Sequence, residues 1–582
     1  MILMRDGVKL YTSVYVPKDG KEKHPILLER TPYSAGPYGP TNYKGGFRGS
    51  TKFRTNNYIF AFQDVRGRYM SEGLFEDVRP QNMNKKSAKD IDESTDTFDA
   101  IDYLVENVPN NNGRVGLWGI SYPGFYAGAG AIDSHPALKA SSPQAPVSDW
   151  WMGDDFHHYG AFFLQDAFSF HSGFGQPRPV PTATPKPGPQ FDYKGNAYQW
   201  YLDMGPLPSY NEKYLKGEVK FWNDLMAHES YDSFWQARSL PRHMTGVKCA
   251  LLIVGGFFDA EDLWGACNLY KFAEKQNKSA KINLVMGPWP HGGWAIGPGS
   301  RFGDIDMPGE PGNFYREQVE WPFFDAHLRG NGKVDLPEAQ VYETGTGTWR
   351  NFAAWPPKDA KARWIYLGDG KRLSWDAPPK PTTESDSYES DPANPVPYQK
   401  GTLVGRTREY MIDDQRFAEQ RTDVLTYRSP ILDENTTIAG PVTADLWVSM
   451  TGSDADFVVK VIDEYPADAR PNLGGTPMAN YQMLVRAEIF RGKFRKDFSK
   501  PFAFEPGKVE QVKFDLPDTM HTFRKGHRIM VQIQSSWFPL VDRNPQRFVD
   551  IYKAKAEDFQ KSTISVWHTP QHPSRIGFGV MP

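Results

Sequence analysis

Short apolar runs alternate with amphipathic stretches along the first 145 residues. The apolar runs are bounded by turn residues and read as buried strands: "PILLER" from Pro25, "YIFAFQDV" from Tyr58 and "RVGLWGI" from Arg114. Between the last two, "DTFDAIDYLVEN" from Asp96 has the spacing of an amphipathic helix. This alternation predicts a parallel sheet with helices on its faces.

The pattern changes over residues 146–245, which are rich in aromatic residues and helix-like periods. A proline-rich stretch, "QPRPVPTATPKPGPQ" from Gln176, cannot hold regular structure and is expected to be a surface loop. The α/β pattern returns over residues 246–355 with "KCALLIVGGFFD" and "KINLVMGPW". We therefore interpret residues 146–245 as a helical cap inserted into an α/β domain that comprises residues 1–145 and 246–355.

Residues 356–582 are rich in β-strand patterns. Turn residues separate the runs "RWIYLG", "TADLWVSM", "DFVVKVIDEY", "VEQVKFDL" and "HRIMVQIQSSWF". Many short strands at this spacing predict a β-sandwich or jelly roll. The sequence as a whole predicts an α/β protein with an inserted cap and a C-terminal β domain.

Composition narrows the possible partners. The 582 residues carry 67 Lys and Arg against 70 Asp and Glu, without a basic stripe, which argues against nucleic acid as a partner. No run of about 18 apolar residues occurs, so we expect no membrane span. Cys249 and Cys267 lack metal-type spacing, and the sequence does not decide whether they pair. With no signal peptide visible, we expect a cytoplasmic protein as the sequence stands, or a periplasmic or secreted one if a leader was removed.

Candidate chemistry begins at "GLWGISYPG", where Ser121 falls between a predicted strand and a run of small residues typical of a helix. A serine on such a sharp turn exposes its hydroxyl, as in a nucleophile elbow. The second glycine, Gly124, comes three residues after the serine rather than two. From this motif alone, Ser121 is equally well interpreted as a small residue in a tight turn.

Two further residues favour the nucleophile. Asp259 follows the predicted strand in "LLIVGGFFDAED", and His291 follows the next one in "INLVMGPWPHGGW". Loops after parallel strands share one edge of a sheet, and the order serine, acid, histidine is that of a serine hydrolase triad. Singly, Asp259 could be a helix N-cap and His291 an ordinary loop histidine, but their coincidence with Ser121 predicts acyl transfer.

The chain also resembles the CocE/NonD family of α/β-hydrolases, related to X-Pro dipeptidyl peptidases and cocaine esterase. The resemblance covers nearly the whole chain and rests on "MRDGVKL", "RTPY", "DVRGRYMSEG", "GISYPG", "GGFFDAEDLWGA" and "GPWPHGG". It implies an α/β-hydrolase domain, a helical cap and a C-terminal jelly roll. It also implies Ser121 as nucleophile, His291 as base and Asp259 as its partner. We expect no cofactor, and the resemblance implies a homo-oligomer, a tetramer.

Two donors are expected to form an oxyanion hole for the tetrahedral intermediate. One is the backbone N–H of Tyr122, directly after the nucleophile. The resemblance implies the hydroxyl of Tyr33, in "RTPY", as the second donor. Without the resemblance, Tyr33 would be interpreted as a turn residue after Pro32.

Three acidic residues indicate which class of substrate the protein binds. In this family, α-amino acid ester hydrolases carry two carboxylates two and three residues after the catalytic aspartate and a third in the first helix of the cap. Glu261, Asp262 and Asp155 match these positions. Such a cluster needs a cation, and the ammonium of an α-amino acid is suitable. The alternatives are acids at helix starts, or a metal held by "DDFHH" and "DAED", whose spacing fits no familiar site, so we expect no metal.

These observations predict a serine hydrolase that forms an acyl-enzyme with small esters of α-amino acids, and with amides such as β-lactam antibiotics. The alternatives are a general carboxylesterase, a glutaryl-cephalosporin acylase or an X-Pro dipeptidyl peptidase. The three acids disfavour the acylase, because they would repel a glutaryl carboxylate. A non-enzymatic alternative is a carbohydrate-binding jelly roll attached to an inactive hydrolase domain.

Overall fold

A nine-stranded mixed sheet forms the centre of the hydrolase domain. The computed structural model describes residues 1–18, 22–47, 49–330, 334–377, 381–402 and 404–582. In chain order, the strands up to residue 352 are β1 (Ile2–Leu3), β2 (Lys9–Leu10), β3 (Thr12–Tyr15), β4 (His24–Thr31), β5 (Ile59–Asp64), β6 (Asn111–Ser121), β7 (Leu138–Pro146), β8 (His157–His158), β9 (Ala161–Phe162), β10 (Ala250–Gly256), β11 (Ile282–Gly287), β12 (Arg301–Phe302), β13 (Ile305–Asp306), β14 (Ala339–Glu343) and β15 (Thr348–Phe352).

The sheet order is β15-β14-β11-β10-β7-β6-β4-β5-β3. The inner strands are parallel, and β3 and β15 pair antiparallel at the two edges. Ile26 and Leu28 of β4 pack into one core and Leu27 into the other, so both faces are covered. This explains the continuously apolar strand sequences, since a parallel sheet is buried on both sides.

Helices cover the sheet and build the cap. They are α1 (Lys52–Thr55), α2 (Glu93–Asn107), α3 (Tyr122–Ala131), α4 (Leu164–Phe174), α5 (Ala197–Met204), α6 (Pro208–Tyr210), α7 (Lys220–Ala227), α8 (Ser233–Gln236), α9 (Leu240–His243), α10 (Leu263–Gln276), α11 (Pro311–Phe314), α12 (Trp321–Arg329) and α13 (Arg416–Glu419). Two π-helical turns lie at Asn211–Leu215 and Tyr315–Glu320. In the part of the chain that the structure describes, no helix is long and apolar enough to cross a membrane.

The cap contains α4 to α9 and the short hairpin β8–β9, so it is not purely helical. The proline-rich stretch has no helix or strand over residues 176–190. It is nevertheless anchored, because the guanidinium of Arg178 donates to the carbonyl oxygens of Gly67, Tyr69 and Ser71 at 2.7, 3.0 and 2.7 Å. The insert therefore lies against the hydrolase domain.

The C-terminal domain is a jelly roll, as the strand pattern predicted. Its strands are β16 (Lys361–Gly368), β17 (Arg372–Ser374), β18 (Ser385–Ser390), β19 (Leu425–Arg428), β20 (Thr436–Met450), β21 (Asp456–Glu464), β22 (Gln482–Arg491), β23 (Glu510–Phe523), β24 (Arg528–Gln534), β25 (Ser562–Trp567) and β26 (Arg575–Val580). Short 3₁₀ turns occupy Glu409–Met411, Gly492–Phe494, Ile551–Lys553 and Ala556–Asp558. The long strand β20 pairs with β23, β25 and β26. Cys249 and Cys267, in the hydrolase domain, are both free and buried.

Candidate active site

Ser121 lies on a sharp turn between β6 and α3. Strand β6 ends at Ser121 and helix α3 begins at Tyr122. The serine has φ 70° and ψ −129°, a conformation that residues with a side chain rarely adopt. Such strain persists only where the surrounding structure enforces it, and here it places the side chain at the carboxyl edge of the sheet.

Two glycines make the turn possible. A Cβ at Gly119 would lie 2.3 Å from the carbonyl oxygen of Pro123, and a Cβ at Gly124 would lie 2.6 Å from that of Gln144. Both distances are shorter than any tolerable contact, because the start of α3 lies directly against β6 and β7. The glycine three residues after the serine is thus required by the contact with β7.

Asp259 and His291 meet at the same edge of the sheet. Asp259 comes three residues after the end of β10, and His291 comes four residues after the end of β11. The Nδ1 atom of His291 is 2.9 Å from Oδ2 and 3.0 Å from Oδ1 of Asp259. Asp259 Oδ1 also accepts from the backbone N–H groups of Glu261 and Asp262, which fixes the carboxylate in place.

Carboxylates around His291 favour the protonated form of its ring. Burial lowers the pKa of the imidazole, but the Asp259 and Glu261 carboxylates outweigh it and raise the pKa to about 9. The ring of His291 is therefore an imidazolium at neutral pH in the free protein. Its Nε2 atom lies 3.2 Å from Oε2 of Glu261.

Two donors flank Ser121. The backbone N–H of Tyr122 is at the first position of α3, where a helix offers no intrahelical acceptor. The Tyr122 side chain is buried and held, because its hydroxyl accepts from the Val78 N–H at 2.7 Å and donates to Asp77 at 3.2 Å. Tyr33, two residues after β4, lines the same cavity as Ser121.

The phenol of Tyr33 is suited to donate. The residue is 42% exposed, but its hydroxyl points into the acidic pocket. Burial of the hydroxyl and the charges of Asp155 and Asp262 raise its pKa well above the usual range for tyrosine. The hydroxyl therefore keeps its proton and remains a donor next to Ser121 at any pH of interest.

Two of the three predicted acids, Asp155 and Glu261, line one cavity of about 280 Å³ together with Ser121 and Tyr33, whereas Asp262 is fully buried and is not part of its lining. Asp155 does not lie in a helix, as the resemblance had implied; it occupies a turn with φ 39° that precedes β8. A left-handed conformation cannot continue a helix, which is why the prediction was wrong. Its backbone N–H donates to the Glu261 carbonyl at 2.8 Å, joining the cap to the loop after β10.

Asp155 and Asp262 resist ionisation. Burial and the nearby Glu261 charge raise the pKa of Asp155 to about 7, although the indole N–H of Trp150 donates to its Oδ2 at 2.8 Å. Asp262 is fully buried, and burial and the Asp155 charge raise its pKa well above the usual range. Both Asp262 carboxyl oxygens lack a hydrogen-bond partner among the residues the structure describes.

Arg406, which the sequence analysis missed, reaches this cluster from the jelly-roll domain. Its Nη2 is 2.6 Å from Oε1 of Glu261, and its Nε pairs with Asp166 of α4. Burial of Glu261 opposes ionisation, but His291 and Arg406 together lower its pKa to about 2. The loop carrying Arg406 has no strand or helix pattern, and no local feature of the sequence places it near residue 261.

The alternative of a metal ligated by "DDFHH" is not supported by the contacts of its histidines. His157 Nδ1 is 2.8 Å from the Trp150 carbonyl oxygen, and its Nε2 lies 2.5 Å from the Tyr552 hydroxyl. His158 Nδ1 pairs with Glu488 at 2.7 Å. Both side chains hold the cap against the jelly roll. Asp154 is likewise structural, since it accepts three backbone N–H groups, from Ser148, Asp149 and Gly265.

The chain matches two family models. The model described as X-Pro dipeptidyl-peptidase (S15 family) matches residues 6–293, and the X-Pro dipeptidyl-peptidase C-terminal non-catalytic domain matches residues 331–577. Cocaine esterase of Rhodococcus sp. (strain MB1 Bresler) is 28% identical over 598 residues, which cover 99% of this chain and 97% of the esterase.

Two solved structures are similar over the whole chain. An α-amino acid ester hydrolase is 37% identical with a TM-score of 0.92, and the match covers 100% of this chain and 95% of that one. An aminopeptidase from a marine sediment archaeon, Thaumarchaeota archaeon, is 36% identical with a TM-score of 0.90, again covering 100% and 95% of the two chains. Both the esterase and peptidase relatives are hydrolases, in keeping with the arrangement around Ser121.

Proposed function

Since the chain belongs to the CocE/NonD family of serine hydrolases, we propose that it hydrolyses esters and amides whose acyl group is an α-amino acid with a free ammonium. Ser121 attacks the acyl carbon and forms an acyl-enzyme, which water then hydrolyses. His291 transfers the protons, and Asp259 orients its ring. The Tyr33 hydroxyl and the Tyr122 N–H stabilise the oxyanion.

A deficit of positive charge beside Ser121 supports this substrate class. Asp155 and Glu261 line the cavity of Ser121, and Asp262 lies 3.8 Å from Nδ1 of His291. Arg406 pairs with Glu261 alone among these three acids. Burial first, and then the charges of neighbouring acids, raise the pKa values of Asp155 and Asp262, so either group needs a further cation to be ionised in the bound state. An ammonium would supply the missing charge, and buried charges are stable only when paired.

The position of the acids favours an ammonium on the residue that is cleaved. Glu261 lies 3.2 Å from the Nε2 atom of His291, the atom that serves the scissile bond. An ammonium bound by Glu261 lies close to the acyl carbon that Ser121 attacks. In an α-amino acid ester the ammonium is separated from this carbon by one atom, the α-carbon. In an X-Pro substrate the ammonium lies one residue further from the acyl carbon, about 3.5 Å more along an extended chain. We therefore rank dipeptidyl peptidase activity lower.

Trp150, Phe156 and Phe170 line the same cavity and provide an aromatic wall for the acyl side chain. A cavity of about 280 Å³ admits one residue the size of phenylglycine. Aminopeptidase activity is the second candidate, favoured by the 36% identity to the archaeal aminopeptidase. It needs the same ammonium contact, and differs only in that His291 must protonate an amine leaving group.

A pair of esters tests the proposal. Phenylglycine methyl ester and phenylacetic acid methyl ester differ only in the amino group. We expect kcat/KM to favour the amino ester by 100-fold or more, about 2.7 kcal/mol. Ser121→Ala is the control that should abolish both reactions with the fold intact. Equal rates on the two esters would mean that the protein is a general esterase. Hydrolysis of phenylglycine anilide, an amide of the same amino acid, tests for aminopeptidase activity.

A further inference from the structure

The nitrogen of His291 that must serve Ser121, Nε2, lies within ion-pair distance of the Glu261 carboxylate in this structure. Nδ1 is bound by Asp259 at 2.9 Å, and Nε2 faces Glu261 Oε2 at 3.2 Å. Among the hydrogen bonds of the described residues, none joins His291 to Ser121. Each ring nitrogen therefore lies within ion-pair distance of a carboxylate, and Nε2 makes no hydrogen bond to Ser121 in the part of the chain that the structure describes.

Glu261 is fixed in this role from its other side. Its Oε1 is 2.6 Å from Nη2 of Arg406, which also pairs with Asp166. Arg408 donates from Nη1 to the backbone carbonyl of His291 at 3.2 Å, and its Nε lies 3.9 Å from Glu261 Oε1. The two arginines hold Glu261 and His291 against each other.

The protonation of His291 agrees with this geometry. The acids near its ring are Asp259 and Glu261 at ion-pair distance, Asp262 at 3.8 Å from Nδ1, and Asp155, which acts by its charge alone. The cations Arg406 and Arg408 lie beside Glu261 and the backbone carbonyl of His291. Together the acids outweigh burial and raise the pKa of the imidazole to about 9. An imidazolium with two N–H donors cannot act as a general base, and a base is most effective when its pKa is near the working pH.

We propose that the substrate ammonium releases His291 from Glu261 and so switches on the base. The ammonium replaces the imidazolium as the partner of Glu261 Oε2; the Nε2–H bond of His291 breaks, its proton passes to solvent, and the neutral Nε2 turns to the Ser121 hydroxyl. Glu261 is then a positioning residue that acts through His291. The inference rests on the proposed function and adds that the ammonium activates catalysis as well as anchoring the substrate.

The size of the effect follows from the charges. A second positive charge about 4 Å from the imidazolium, in a partly solvated site, should lower the pH midpoint of the base-dependent rate by about 2–3 pH units. A substrate without the ammonium gives no such help. Its hydrolysis should depend on the small fraction of His291 that is neutral at pH 7.

The first test compares pH profiles of kcat for the two phenyl esters. In the unaltered enzyme, the profile of the des-amino ester should have its midpoint near pH 9, and that of the amino ester should lie at least one pH unit lower. In Glu261→Gln, the des-amino ester should be hydrolysed about tenfold faster at pH 7 than by the parent, because the base is no longer captured. The amino ester should be hydrolysed more slowly.

Asp155→Asn is the matched control, since Asp155 binds Trp150 and does not contact Nε2 of His291. It should weaken the preference for the amino ester and raise the des-amino rate by much less than Glu261→Gln does, because Asp155 acts on His291 through its charge and without contact. A measurement on the unaltered enzyme covers the case that Glu261→Gln does not fold. Methylammonium chloride at pH 7 should accelerate labelling of Ser121 by an uncharged fluorophosphonate several-fold, in a saturable way.

The outcomes separate the two ideas. If the two esters have the same pH midpoint and methylammonium does not accelerate labelling, the switch is wrong. If the amino ester is nevertheless preferred 100-fold, the proposed function still holds. A des-amino rate in Glu261→Gln at or below that of the parent would also overturn the switch. Equal kcat/KM for both esters in the parent would overturn the proposed function itself.

Discussion

Asp155→Asn should make the free protein more stable while making it a poorer amino-ester hydrolase. The carboxyl group is half-buried, and burial and Glu261 raise its pKa to about 7. In the unfolded chain the pKa is about 3.9. A carboxyl whose pKa is raised by folding favours the native state fully below about pH 4, and this contribution is lost as the pH rises through 7.

The magnitude follows from the two pKa values. A difference of about 3 pH units corresponds to about 4 kcal/mol above pH 7, which is an upper limit. Because water reaches a half-buried carboxyl and screens it, we expect the neutral asparagine to recover about 1–2 kcal/mol of unfolding free energy at pH 8. Asparagine keeps an oxygen acceptor for the Trp150 N–H, so the local contact survives.

The assay is thermal or urea unfolding of parent and variant at pH 8 and pH 5, beside the paired-ester assay. The gain in stability should shrink at pH 5, and the preference for the amino ester should fall by at least tenfold. Asp154→Asn is the comparison: its carboxyl group accepts three backbone N–H groups, and the amide should lose at least one of them, at a cost of about 1–3 kcal/mol at pH 5. Burial also raises the pKa of Asp154, so the loss should be smaller at pH 8. An Asp155→Asn variant less stable than the parent at pH 8 would refute the reasoning.

Three further substitutions probe the turn, the oxyanion and the charge balance. Tyr33→Phe should lower kcat by about 10²–10³-fold on either ester with an unchanged melting temperature; a normal kcat would exclude the hydroxyl as a donor. Gly119→Ala places a Cβ 2.3 Å from the Pro123 carbonyl oxygen and should abolish fluorophosphonate labelling and lower the melting temperature. Arg406→Gln removes the arginine that pairs with Glu261, so the pH at which amino-ester hydrolysis rises on the acidic side of its pH–rate profile should move to a higher value. If that pH does not move, the Arg406–Glu261 ion pair does not determine it.

Chain order alone made much of the site predictable. A parallel sheet brings the ends of its strands to one edge, so residues that follow β6, β10 and β11 are neighbours whatever their exact loops. The structure places Ser121, Asp259 and His291 at these strand ends, and Asp259 and His291 in contact. The displaced glycine of the serine motif, which was puzzling in the sequence, follows from the contact of α3 with β7.

The features that could not be predicted from the sequence depend on contacts between distant parts of the chain. Arg406 lies 145 residues from Glu261, in a loop whose position depends on how the jelly roll packs on the cap. The contact of His291 with Glu261 depends on side-chain orientation at the ends of two loops, which no periodicity encodes. The helix position of Asp155 was implied by the family resemblance, whereas its backbone is left-handed, which depends on the local fold of the cap.

The anchoring of Glu261 by an arginine of the C-terminal domain has an evolutionary consequence. Arg406 belongs to a domain that contributes no reacting atom, so the charge balance of the pocket depends in part on a residue encoded far from the acids and the nucleophile. A substitution in the loop around Arg406 can therefore change the charge of the pocket while the nucleophile and its base stay unaltered. Chimaeras that exchange the C-terminal domain between relatives are therefore a direct route to altered selectivity.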